Sequence, residues 1–96
     1  MPAGREMDQM IHRRLFGAND ENGDIPPYSI DPNLSAKVRS KIKSHYGHPI
    51  IVGETRMSPL KHFARYDSDP SSATEVLADT QALAICRLAV LLMRRS

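Results

Sequence analysis

The sequence predicts an α+β fold: a small α-β-α sandwich of order α-α-β-β-α, with a short antiparallel sheet covered by helices. Three observations predict it. Residues 31–47 carry an apolar stripe at helical spacing, with its own start and stop signals. A β-branched run bounded by proline and glycine, His48 to Glu54, follows directly. Last comes ADTQALAICRLAVLLMRR, Ala78 to Arg95, in which only Arg87 is charged between Ala82 and Met93.

Each element has a local reason. In residues 3–16, Met7, Met10, Ile11 and Leu15 fall at helical spacing, while Arg5, Asp8, His12 and Arg13 take other faces; Gly17 is a stop. Residues 18–30 read as a loop, polar and acidic at first and then carrying Pro26 and Pro27. Asp31-Pro32 is a helix start, an N-cap carboxylate followed by proline at the first helical position. Leu34, Val38, Ile42 and Tyr46 then give a narrow stripe that ends at Gly47. The strand at 48–54 is followed by a turn and by Leu60 to Asp67, an antiparallel partner. Leu60, His62, Ala64 and Tyr66 share one face of it; Lys61, Phe63, Arg65 and Asp67 share the other, and the pattern does not say which is inside. Two strands are marginal in water. Either residues 73–78 supply a third, or strands pair across a subunit boundary. The last helix starts at a cap, with Asp79 favoured over Ser72 and Glu75.

Composition sets the outer bounds. Ninety-six residues suggest one domain, 1–96, small enough to be marginal alone. Two Phe, three Tyr and no Trp make the core aliphatic. A net charge of +2 is too mild to require a nucleic-acid partner. One cysteine excludes an internal disulfide and suits a reducing compartment. MPAGREMDQM lacks the apolar run of an export signal. The C-terminal run of about a dozen residues falls short of the roughly 20 that span a bilayer, so no membrane is expected. That helix needs cover on two sides. One side is expected on the sheet; the other falls to the first two helices or to a second subunit, for which Leu88, Leu91 and Leu92 are the interface candidates.

MPAGREMD, IPPYSIDPNLSAKV and ADTQALAICRLAVL together resemble the segments that mark the phage ABA sandwich domain family. The resemblance touches both ends and the middle of the chain. It implies helices on either side of a sheet, a phage or prophage origin, and hence the cytoplasm of an infected bacterium. It brings no catalytic residues. The chain departs from the family in its shorter middle region and in having Phe16 and Phe63 where tryptophans are usual.

Few constellations suggest chemistry. His45 and His48 have H-x-x-H spacing, with His62 as a third candidate, but they straddle a helix end and a strand start, and no Cys joins them. Cys86 sits among aliphatics, where a thiol is inert. Asp67 and Asp69 precede Pro70 as ordinary turn formers do. No phosphate loop or nucleophile elbow is present. A non-enzyme without cofactor or resident metal is expected. The remaining candidate is cationic: Arg56, Lys61 and Arg65 with His62, and Phe63 between Lys61 and Arg65 on one strand face. A basic pair around an aromatic suits an anionic ligand such as a nucleotide; the plainer account is a charged strand face that resists edge pairing.

Three functions follow. The first is an oligomeric phage accessory protein that binds a small anionic ligand, with an anti-defence role. The second is an inhibitor that binds a host protein complex. The third is a nucleic-acid-binding accessory of phage replication that uses Lys37, Arg39, Lys41 and Lys43, cations whose blander role is a solvated helix flank.

Overall fold

The computed structural model describes residues 4–17, 25–56, 60–66 and 74–95. Helix α1, Arg5–Met10, runs on into a wider π-helical turn, Ile11–Leu15, closed by a bond from the Phe16 amide to the Ile11 carbonyl (3.3 Å). Helix α2, Pro32–Tyr46, begins as its sequence dictates: the Asp31 side chain accepts from the Asn33 amide at 2.8 Å, and Gly47 closes it in the left-handed conformation. Strands β1 (Ile51–Glu54), β2 (His62–Tyr66) and β3 (Thr74–Ala78) form one antiparallel sheet in that order. The third strand lies in the 73–78 stretch. Helix α3, Gln81–Arg95, follows. Its cap is Thr80, whose hydroxyl accepts from the Leu83 amide at 3.1 Å; Asp79, favoured for that role, is drawn to Lys61 instead.

The α+β class holds, with helices packed against a three-stranded antiparallel sheet. Within that arrangement α3 is the middle layer: it packs on β2 and β3 on one side and on α2 and α1 on the other. From Ala82 to Met93 every residue is buried except Arg87 and Leu91, which are half-buried. Of the two covers open to that helix, the first two helices supply it, and a second subunit is not needed over Leu88 or Leu92. Leu88 is 0% exposed, Leu92 belongs to the same core, and Leu91 sits half-buried beside Val76, Arg87 and Arg94. Arg87, the one charge in the apolar run, reaches sideways and donates to the Leu77 carbonyl of β3 at 2.8 Å. No helix among the described residues is long and apolar enough to cross a membrane.

The three quoted sequence segments meet in this core. Asp8, expected on a solvent face, is buried: its carboxylate accepts from the Ser29 amide at 2.9 Å. The Gly4 amide donates to the Ser29 hydroxyl (3.3 Å), and His12 Nδ1 shares a hydrogen bond with the Tyr28 hydroxyl (2.8 Å). Burial raises the Tyr28 hydroxyl's pKa, and Asp8 and Cys86 push it in the same direction. The first helix and the PPYS turn are thus joined by a polar clasp, closed over an aliphatic core to which the AICR helix contributes Ala84, Ile85 and Cys86.

Candidate functional site

Strand register decides which residues meet on the sheet. Ile51 pairs with Arg65 and Arg65 with Glu75; Gly53 pairs with Phe63 and Phe63 with Leu77. These residues form two successive rows across the outer face, the one turned away from α3. A third row continues the register: the Thr55 amide donates to the Lys61 carbonyl at 2.7 Å, and the Lys61 ammonium pairs with Asp79. On the inner face, Ala64, Tyr66, Thr74 and Ala78 are buried.

Of the residues singled out in the sequence, Lys61, Phe63 and Arg65 share the outer face. His62 does not: it lies half-buried on the inner side, opposite Glu54 and Ala78. Arg56 is exposed beyond the end of β1, outside the paired strands. The face also holds residues that the local pattern does not reveal. Ile51 on β1 and Leu77 on β3 are 47% and 43% exposed, large values for aliphatic side chains on a sheet face. Gly53 is where it is because the Phe63 ring lies across it; a Cβ there would sit 2.7 Å from ring carbons.

Charge on this face is balanced. Lys61 and Arg65 each have a carboxylate beside them on the β3 side, Arg65 with Glu75 and Lys61 with Asp79. The Lys61 hydrogen bond and charge hold the Asp79 carboxyl below its usual range. An anion approaching Lys61 would have to displace that carboxylate. The arrangement suits contact with a surface that is itself apolar with mixed charge.

The other candidates have structural work. Burial, and then the Asp8 charge, push the Cys86 thiol up to about 12, so it stays protonated and unreactive at neutral pH. The His45 ring packs edge-on to Tyr46 and the His48 ring edge-on to Tyr66. Among the described residues no three His, Cys, Asp or Glu side chains converge as a metal site requires. Asp67 and Asp69 lie outside the described residues, as does most of the acidic stretch of the 18–30 loop. The α2 cations are divided: Arg39 Nε donates to the Ile50 carbonyl at 2.8 Å, Lys43 is exposed, and Lys37 and Lys41 line a groove with Phe16.

No family model and no curated protein matches the chain. The whole chain does match a solved structure, described as the 2.0 Å crystal structure of a phage protein from Bacillus cereus ATCC 14579. The match has a TM-score of 0.76, covers 93% of that protein and is 21% identical. This chain therefore has the fold of that phage protein.

Proposed function

We propose that this protein is a non-enzymatic phage or prophage accessory protein that acts by binding, and that it works as a two-fold dimer joined through the outer sheet faces. The phage setting, and with it the cytoplasm of an infected bacterium, is supported by the fold shared with the Bacillus cereus protein and by the three motifs that resemble the phage ABA sandwich family. One observation carries the dimer: the outer face complements itself. A two-fold axis parallel to the strands, between β2 and β3, lays each β2 over the partner's β3. Arg65 then meets Glu75, Lys61 meets Asp79 and Phe63 meets Leu77, each in both directions. The apolar row is buried at the centre and the charges form its rim.

Light scattering on the eluting protein tests this. The wild type should elute as a dimer, and Leu77→Arg should weaken it roughly hundredfold or more, since a lost apolar contact counts twice across a two-fold axis. Arg65→Glu should also give monomers, and the exchange Arg65→Glu with Glu75→Arg should restore the dimer. A monomeric wild type would return the face to a host protein and overturn the reading. Dimers that ignore both Leu77→Arg and Arg65→Glu would place the contact elsewhere.

A further inference from the structure

A second surface, remote from the sheet in the layer order, has the chemistry of a ligand site. On most helices the spacing i, i+3, i+4, i+7 marks the apolar side. On α2, at a side away from Val38 and Ile42, that spacing reads Lys37, Ser40, Lys41, Ser44. The four side chains, with Ala36, line an open groove of about 470 Å³ whose opposite wall is Phe16.

Two features set this groove apart from an ordinary solvated flank. Lys37 and Lys41 are like charges four apart on a helix, an arrangement that is mildly unfavourable. No carboxylate among the described residues pairs with either of them. The aromatic wall is also held in place. The Phe16 ring stacks on Tyr28, with centroids 5.2 Å apart and planes within 10° of parallel, while Tyr28 is tied to His12. A fixed ring beside two ammonium groups and two hydroxyls matches a flat base joined to phosphate. The base stacks on the ring, the lysines neutralise the phosphate, and the serines donate to its oxygens. We infer that the groove between Phe16 and the Lys37–Ser44 stripe is a binding site for a nucleoside phosphate.

Titration of isotope-labelled protein with adenosine 5′-diphosphate tests it, read by the amide signals of Phe16 and residues 37–44. Those signals should move together and saturate. Lys37→Ala with Lys41→Ala should weaken binding about tenfold or more, since each lysine removes a charge-assisted contact. Phe16→Leu should weaken it roughly tenfold through loss of stacking. Ser40→Glu, an exposed change that leaves the core untouched, should abolish it. The Leu77→Arg monomer should bind as the wild type does, so failure of the dimer and failure of this site are distinguishable. Inorganic phosphate and a short single-stranded oligonucleotide complete the series. Tighter, steeply salt-dependent binding of the oligonucleotide supports the site and names a strand as its source. Phosphate binding as tightly as the nucleotide overturns the role of the ring. No response to any nucleotide overturns the site. Binding seen only after Asp20, Glu21 and Asp24 are neutralised also overturns it, and assigns the lysines to the chain's own acidic stretch.

Discussion

Two regions of this molecule reverse the usual distribution of residues. In the clasp between α1 and the 28–30 turn, Asp8, Ser29 and Tyr28 are buried. On the outer sheet face, Ile51 and Leu77 are exposed. The difference lies in their partners. The buried polar groups are held by hydrogen bonds within the chain, and among the described residues no buried side-chain nitrogen or oxygen lacks a partner. Polar groups satisfied in this way specify a structure. The exposed apolar groups meet only their neighbours on the face, so their burial is left to another surface. The interior polarity therefore belongs to folding, and the exterior apolarity is what the proposed dimer would cover.

Breaking the clasp should have the larger effect on stability. Asp8→Ala leaves the buried Ser29 amide without its acceptor and should cost about 2 kcal/mol; Asp8→Asn, which keeps an acceptor, should cost less. Urea unfolding measures both. The core beneath the clasp should also give an alkaline limb. The Cys86 pKa rises from 9.0 in the unfolded chain to about 12 in the folded one. Above pH 9 the unfolded state loses a proton that the native state keeps, so stability is full below pH 9 and falls as pH rises toward 12. Tyr28, raised from 10.0, adds a loss of the same sign. Cys86→Ala should cost about 1 kcal/mol at neutral pH through the cavity it leaves, and should show a shallower alkaline fall. On the outer face the effect should be smallest: Ile51→Thr should change the unfolding free energy of the monomer by less than about 0.5 kcal/mol. A loss of several kcal/mol there would mean that the face is core.

The same contrast explains what local sequence reveals. α2 was legible because cap, stripe and stop are all local signals: Asp31-Pro32, Leu34 to Tyr46, Gly47. β2 was legible as a strand but not as an orientation, because Tyr66 on one face and Phe63 on the other offer equal bulk. Asp8 reads as a surface acid because its partner lies 21 residues away. The trio Lys61, Phe63 and Arg65 was legible as a face; its neutralisation was not, because Glu75 and Asp79 reach it only through the register between strands. Phe16 was legible as an aromatic replacement, but not as a wall facing Lys37 and Lys41, since no periodicity links the end of one helix to the flank of another.

The π-helical turn at Ile11–Leu15 adds a consequence for how such a protein changes over generations. A π turn accommodates one more residue than an α turn, so losing a single codon from this stretch would let the helix close in ordinary α geometry. The residue after it would swing about 100° around the axis. Phe16 would leave its stack on Tyr28, while α2, α3 and the sheet kept their own sequences. One deletion could thus displace the Phe16 ring from its place beside Lys37 and Lys41, and one insertion could restore it. That makes this turn a place where lineages sharing the fold can alter the surface beside α2.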